Sequence, residues 1–355
     1  MELPSDLKYA IETELSNKSI RRIANRATGL SDRYRECKKA DGKSFLNSKE
    51  DAKAYAAFRM PATFAAAYFA MKQIQECLPQ WNPQTLLDTG AGPGTIMWAA
   101  SSVWPTLQHM TLLEREESMI ALGKKLAGYS SPPPIQNAVW RKMDITDLLQ
   151  SSANTTKMNT GDTDTYDIVT ASYVLGELRE SNRESYIKSL WEATRGILLL
   201  IEPGTPAGFA RIRLAREQLM ASDAAILAPC SCNLSCPMTD GNWCHFSQRV
   251  SRSCLHKQVK SAEMSYEDEK FSFVTASRLE GYPIQGRVLR HPQVRKGHII
   301  LECCTSEGLI TKTVTRKEKE KYRIAKDLIW GSAVPPDVLE NNILDKGTCI
   351  CLRRR

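Results

Sequence analysis

From Thr85 to Pro203 the chain alternates short apolar runs with amphipathic stretches. TLLDTG (85–90), HMTLLE (109–114), IQNAVW (135–140), YDIVTASYVL (166–175) and GILLLIEP (196–203) have the length of buried strands. Between them TIMWAASSVW (95–104), ESMIALGKKLAGY (117–129) and SNRESYIKSLWEAT (181–194) place apolar residues at helical spacing. Strands alternating with helices predict parallel βαβ units, and hence a doubly wound sheet with helices on both faces. Residues 1–80 read as helices. SDLKYAIETEL opens at Ser5 in a capping position. The Ala-rich run from Glu50 to Leu78 follows, with Pro61 expected to break or kink it. These helices are expected to cover one edge of the sheet. A further helix is expected from Ala207 to Ala221, and the polar stretch at 151–165 reads as a loop. Beyond a Cys-rich stretch (228–256), SYEDEKFSFVTASRL, GHIILECCTSEG and GLITKTVTR read as strands, with GRVLRHPQVRKG an irregular or hairpin segment between the first two. The expected organisation is a helical region (1–80), a Rossmann-like domain (81–222), a Cys-rich insert (223–264), and C-terminal strands with a basic region (265–355).

One strand–glycine–helix unit carries candidate chemistry: LLDTGAGPGTIMWAA, residues 86–100. Asp88 ends the strand, and Gly90, Gly92 and Gly94 follow. Glycines permit a tight turn and close approach to a ligand, where the next helix presents free N–H groups. Glu114 ends the next strand and is placed to accept from both hydroxyls of a ribose. The dinucleotide fingerprint is G-x-G-x-x-G/A, whereas here an acidic residue precedes G-A-G-P-G. That resembles the first motif of class I S-adenosylmethionine-dependent methyltransferases, whose loop cradles the methionine moiety. On that resemblance Asp144 in KMDITDLL would contact the adenine. Ser172 and Tyr173 would sit in the cleft at the end of the fourth strand, with Asp167 inside that strand. The expected fold is therefore α/β, a class I methyltransferase (Rossmann-like) sheet, and S-adenosylmethionine is the expected cofactor. No catalytic residue is assigned. Base amino-methyltransferases carry [DNS]-P-P-[YFW] after the fourth strand, and here that place reads TASYVLGEL. APCSC (228–232) looks like the Pro-Cys element of RNA cytosine enzymes but follows the fifth strand and its helix. Methyl transfer to a good nucleophile needs mainly positioning, so the sequence leaves activity open.

Composition narrows the classes. With 355 residues, 42% of them hydrophobic, the chain can bury a full core. It has no apolar run of eighteen residues, so no membrane span is expected. MELPSDLKYAIETEL lacks a signal-peptide core and is too acidic for a typical mitochondrial presequence, which predicts a cytoplasmic protein or one already processed. The net charge of +8 is concentrated late in the chain. Ten Lys/Arg face five Asp/Glu between Arg249 and Lys296, and seven face two between Thr311 and Lys326. The chain ends in Arg353, Arg354 and Arg355. Such a run suits docking on phosphates, with Tyr282 and Tyr322 placed to stack on bases. The competing reading is a solvated face, and Lys317–Lys326 also fits an amphipathic helix.

Of eleven cysteines, five fall between Cys230 and Cys254, and Cys303 and Cys304 are adjacent. Clustered thiols in a reducing compartment argue for metal binding or catalysis over disulfides. Cys230, Cys236 and Cys244 have C-x5-C-x7-C spacing, not the paired C-x2-C of a zinc ribbon. Soft thiolates select zinc or an iron–sulfur cluster. Cys303 or Cys304 could supply a fourth ligand, and Cys232 and Cys254 are extra. His245 reads as a packing residue.

The run APC-x5-CP, WCHFSQRVSRSCLHKQVK, YEDEKFSFV, CCTSEG and KYRIAKDLIWGSA closely resembles the Rsm-type family of methyltransferase-like proteins, over about residues 80–333. Mitochondrial members of that family are assembly factors of the small ribosomal subunit. The resemblance implies a [4Fe–4S] cluster held by four cysteines. Three map onto Cys230, Cys236 and Cys244, and the fourth onto Cys304, with Cys303 as the alternative. Many members have P-C-P-H where this chain has Pro229-Cys230-Ser231-Cys232, so an extra thiol stands at that point. The N-terminus looks like that of a bacterial-type member, cytoplasmic, with the mitochondrial matrix expected in a eukaryote. The expectation is a monomeric S-adenosylmethionine-binding, cluster-containing protein that binds small-subunit ribosomal RNA and assists ribosome assembly or translation, with no membrane or DNA partner. Its rivals are an active rRNA methyltransferase, a zinc-stabilised RNA-binding module with a vestigial pocket, and a redox or iron sensor that gates assembly.

Overall fold

The computed structural model describes residues 1–16, 48–145, 147, 165–239, 241–252, 265–282 and 284–340. Residues 151–164 of the loop expected at 151–165, Cys254 and the terminal arginines lie outside the described residues. The chain forms two compact units, Met1–Pro283 and Ile284–Arg355.

The first unit opens with α1 (Ser5–Ser16), α2 (Lys49–Phe58) and α3 (Met60–Cys77). Ser48 caps α2 by accepting a hydrogen bond from the Asp51 N–H. Pro61 does not kink a long helix: the break falls at Arg59, and Pro61 sits in the first turn of α3, where its missing N–H costs nothing. The alternating region follows as β1 (Thr85–Thr89), α4 (Thr95–Val103), β2 (His109–Glu114), α5 (Glu117–Ala127), α6 (Pro133–Gln136), β3 (Val139–Lys142), β4 (Tyr166–Ser172), α7 (Glu180–Glu192), β5 (Thr194–Pro203) and α8 (Pro206–Ala221). β6 (Ala225–Ala228), β7 (Phe246–Ser251) and β8 (Tyr266–Ser277) complete the unit. The eight strands run β3-β2-β1-β4-β5-β8-β6, with β7 also on β8. β1 to β5 are mutually parallel, and β8 is antiparallel to β5. This is the doubly wound, Rossmann-like sheet that the pattern predicts, and the class I methyltransferase-like fold that the resemblance of the glycine motif implies.

Three local expectations change. The strand expected at 135–140 begins at Val139, because three consecutive prolines start a helical turn before it. β4 ends at Ser172, since Tyr173 adopts φ +62° and turns the chain. β6 is too short to announce itself beside Pro229. The segment after 264 is also not one C-terminal region: β8 lies inside the large sheet, and the second unit begins at Ile284.

The Ala-rich α3 is buried along most of its length, with Phe64 and Met71 in the core. Its Phe69 meets the rings of Phe246, Phe271 and Phe273 at centroid distances of 5.7, 5.5 and 6.2 Å. Of the N-terminal helices it is α3 that is thus fixed to β7 and β8, while α1 and α2 pack against α5. Tyr186, Leu190, Ile212 and Leu219 of α7 and α8 fill the core with Val169, Leu198 and Val274. Asp167 is the second residue of β4, at the opposite end from the cleft. It accepts from the Gln84 and Thr85 N–H groups and pairs with Arg195 at 2.6 Å, so it is a structural staple.

The second unit contains β9 (Gly286–Val288), β10 (Gln293–Arg295), β11 (His298–Thr305), β12 (Gly308–Thr315), α9 (Lys319–Asp327), β13 (Ala333–Val334) and α10 (Pro336–Leu339). β11 is the centre of its antiparallel sheet: β12 pairs along one edge, β9 and β10 along the other. The segment expected to be irregular or a hairpin thus contributes two short strands. Val288, Ile299, Leu301, Val314, Ala325 and Val338 form a separate core.

Candidate cofactor cleft and cysteine segment

Strand order reverses between β1 and β4, and in such sheets ligands bind beyond the carboxyl ends of the strands at this switch point. Gly90, Gly92 and Gly94 lie there with φ of +69°, +55° and +83°. The Gly90 and Ala91 N–H groups donate to Leu113 O, stitching the loop to β2. A Cβ on Gly90 would come within 2.6 Å of Val174 Cγ2, so the glycine loop packs directly on the turn after β4. Glu114 holds the loop from the other side. Its Oε2 accepts from the Gly92 N–H at 2.7 Å and its Oε1 from the Glu116 N–H at 2.8 Å. Burial raises its pKa, against these hydrogen bonds. Each oxygen retains a second lone pair for a ligand hydroxyl.

Asp88 is 1% exposed. Its Oδ1 accepts from Thr170 Oγ1 at 2.7 Å, while its Oδ2 is buried with no hydrogen-bond partner among the described residues. Burial pushes its pKa up to about 7; the Thr170 hydrogen bond opposes this and the Glu114 charge adds to it. Ser172 Oγ, at the end of β4, is likewise buried and without a hydrogen-bond partner among the described residues. Asp144 follows β3 and lies 3.4 Å from Arg115, which follows Glu114. The expected residues Asp88, Gly90, Gly92, Gly94, Glu114, Asp144 and Ser172 all belong to the loops and strand ends on this side of the sheet.

Other residues shape the cleft without any local motif. The guanidinium of Arg59, between α2 and α3, pairs with both oxygens of Glu269 on β8 at 2.7 and 2.8 Å. Glu269 Oε1 also accepts from Tyr173 Oη at 2.9 Å, and the Arg59 guanidinium lies 4.9 Å from the Tyr173 ring centroid. Glu202 is 1% exposed and accepts from the Leu175 N–H at 3.0 Å and Arg211 Nε at 2.6 Å. It fixes the turn 173–178 from β5. Its one sign in the sequence is a carboxylate closing the wholly apolar run ILLLIE.

The cysteine segment leaves the sheet at β6 and returns at β7, both on the outer edge of β8. Five hydrogen bonds hold it. Asn233 Oδ1 accepts from the Ile226 N–H, Arg216 Nη2 donates to Cys232 O and Leu234 O, Trp243 Nε1 donates to Gly204 O, and Ser272 Oγ donates to Cys244 O. His245 stacks on Trp243 at 5.1 Å, in the packing role expected of it. Cys230, Cys232, Cys236 and Cys244 are half-buried. Among the described residues, no three His, Cys, Asp or Glu side chains are gathered into a metal-holding group. Cys230, Cys232 and Cys236 are nevertheless near enough for charge on the last two to act on the first. Burial raises the Cys230 pKa, while Arg216 lowers it. The donor set, thiols with a buried guanidinium beside them, suits a thiolate-bound centre. In the second unit, Cys303 points into the core and burial pushes its thiol up to about 11. Cys304, next along β11, points to the other face and is half-buried.

The basic run is partly internal. Arg287 is 1% exposed and donates to Gly331 O. Arg278 donates to Thr194 O and Trp191 O, and Arg252 pairs with Glu267 at 3.1 Å. Arg295, Lys296, Arg316, Lys317, Lys319, Arg323 and Lys326 are exposed on the second unit. Tyr282, on the first unit, is exposed, and Tyr322, on α9, is half-buried.

No described helix is long and apolar enough to cross a membrane. Among solved structures, the chain is similar to magnesium protoporphyrin IX methyltransferase from Synechocystis with bound SAM, at 14% identity, covering 70% of this chain and 90% of that one, with a TM-score of 0.37. Among characterised proteins it is similar to the human mitochondrial ribosome assembly protein METTL17, at 28% identity over 79% of this chain and 62% of that protein. It is also similar to the Rsm22-cox11 tandem protein 2, mitochondrial, of Schizosaccharomyces pombe, at 25% identity over 79% of this chain and 43% of that protein. The chain thus spans less than two thirds of the length of each of these relatives. The model of the family described as mitochondrial small ribosomal subunit Rsm22 matches residues 49–335, which takes in the glycine loop, the cysteine segment and most of the second unit, and the chain belongs to that family.

Proposed function

We propose that this protein binds S-adenosylmethionine in the switch-point cleft, carries a [4Fe–4S] cluster, and binds small-subunit ribosomal RNA to assist ribosome assembly. Membership of the Rsm22 family across residues 49–335 is the observation that carries this reading. Asp88, Gly90, Gly92, Gly94, Glu114, Asp144 and Ser172 would hold the cofactor. Its sulfonium would supply a transferable methyl group when bound. The unpartnered Asp88 Oδ2 suits the ligand's ammonium, and Ser172 Oγ suits one of its polar groups. Cys230, Cys236, Cys244 and Cys304 would hold the cluster, and the core position of Cys303 favours Cys304 over it. The protein would act in the mitochondrial matrix of a eukaryote or the cytoplasm of a bacterium.

Anaerobic purification with iron, sulfide and zinc analysis tests the cluster. About four irons and four sulfides are expected, as for a four-thiolate cubane. About one zinc would support the zinc-stabilised alternative instead. Cys236→Ser should then lower thermal stability and RNA affinity together, and a Cys236→Ser protein unchanged in both would refute a structural cluster.

RNA binding has its own test. Replacing Arg295, Lys296, Lys317 and Lys319 with Gln should weaken binding to small-subunit RNA across sequences. The slope of log K against log salt should become shallower by about 0.7–0.9 for each phosphate that is no longer neutralised. An unchanged slope would place the RNA elsewhere. Radiolabelled methyl transfer to immature small-subunit particles would establish the active-enzyme reading.

A further inference from the structure

Arg216 on α8 is a buried cation without a counter-ion among the described residues. It is 4% exposed, and Nη2 binds the Cys232 and Leu234 carbonyls at 3.0 and 2.7 Å. Its Nε and Nη1 are buried with no hydrogen-bond partner among the described residues. Two carbonyl contacts do not neutralise a guanidinium, and an uncompensated buried charge is strongly unfavourable. Arginine is not neutralised by deprotonation in a protein either. The site therefore calls for an anion. What stands beside the guanidinium is the thiol of Cys230, with Cys232 and Cys236 nearby. Sulfurs bound to a metal centre would supply the negative charge that matches it. Cys230 also packs against the apolar core, where little water screens the pair.

We infer that Arg216 is the resident counter-charge of the cluster, its free Nε and Nη1 donating to the Cys230 sulfur or to a cluster sulfide. It is a positioning residue and not a ligand. The inference rests on the [4Fe–4S] reading above. Hydrogen bonds and charge at the sulfurs are among the main determinants of cluster potential, so Arg216 should hold the potential up as well as retain the iron. A mere loop pin, acting through Nη2 alone, would change stability and leave the potential where it was.

The test uses the full chain, purified anaerobically, as wild type, Arg216→Met, Arg216→Gln and Arg216→Lys. Iron content is measured first, then iron release to a chelator and the cluster midpoint potential. Both neutral variants are expected to release iron about tenfold faster. Their midpoints should fall by about 59 mV, a tenfold change in the one-electron ratio. Lys, which keeps the charge but loses the planar fork, should recover most of the potential and less of the iron retention. Should Met fail to fold, Gln decides. A neutral variant with the wild-type midpoint and release rate overturns the assignment, as does one that loses thermal stability at an unchanged midpoint. Wild-type protein without iron fails at the first step, sinking the cluster reading and this assignment with it.

Discussion

Arg59→Ala is expected to lower the stability of the larger unit by about 3 kcal/mol, the low end of the range for breaking a buried ion pair. The low end applies because the Arg59 side chain remains 24% exposed, against 12% for Glu269. Burial disfavours the guanidinium, and the Glu269 charge more than offsets that, so Arg59 stays charged. Truncating Arg59 leaves Glu269 with only Tyr173 Oη as a described partner. A change of this size should lower Tm by about 6–12 °C for a unit of this length. Arg59→Met combined with Glu269→Gln should cost less than Arg59→Ala alone, because the orphaned charge, and not the absence of two hydrogen bonds, dominates the penalty. Denaturation of the single and double variants checks this, and an additive double variant would refute it. A second consequence reaches the cleft. Tyr173 holds φ +62°, a conformation that costs a non-glycine residue about 1–2 kcal/mol. Its hydroxyl is anchored by Glu269 and its ring lies under Arg59. Removing the clamp should let Tyr173 relax and shift the neighbouring Ser172 and Val174, the latter in contact range of the glycine loop.

The parts of this molecule legible in the sequence are those whose cause is local. Parallel strands buried on both faces read as unbroken apolar runs, which makes β1, β2 and β5 visible. The glycine loop is visible because left-handed backbone at three alternate positions demands glycine. The cysteine segment is visible by composition. What could not be read is set by long-range pairing. β6 has four residues and exists because β8 offers it an edge, although β8 lies about forty residues later in the chain. Arg59 and Glu269 are separated by 210 positions and share no periodicity. The charge count between Arg249 and Lys296 likewise could not distinguish the buried Arg287 from the exposed Lys296. Composition records charge, but burial is decided by the fold.

Asp88→Asn should separate the two halves of the cleft reading through pH. In the free protein Asp88 titrates at about 7, against about 4 when unfolded. Between these values the folded state carries a proton that the unfolded state lacks, so this group's contribution makes stability fall as pH rises from about 4 to about 7, and flatten above. Asp88→Asn, which cannot ionise, should lack that slope in denaturation midpoints. Ligand affinity should run the other way. The ammonium of S-adenosylmethionine favours the ionised carboxylate, so binding below pH 7 must first expel the proton. Affinity should rise by up to about tenfold per pH unit until about 7, then level off. Asp88→Asn should bind about ten- to a hundredfold more weakly, the worth of one charge-assisted hydrogen bond of about 1.5–3 kcal/mol, with a flat profile. Calorimetric titrations from about pH 5.5 to 8, which bracket the folded-state value, would show the bend in the wild type alone. A wild-type affinity independent of pH would mean that Asp88 does not face the ligand's charge, and that its unpartnered Oδ2 serves the loop and not the cofactor.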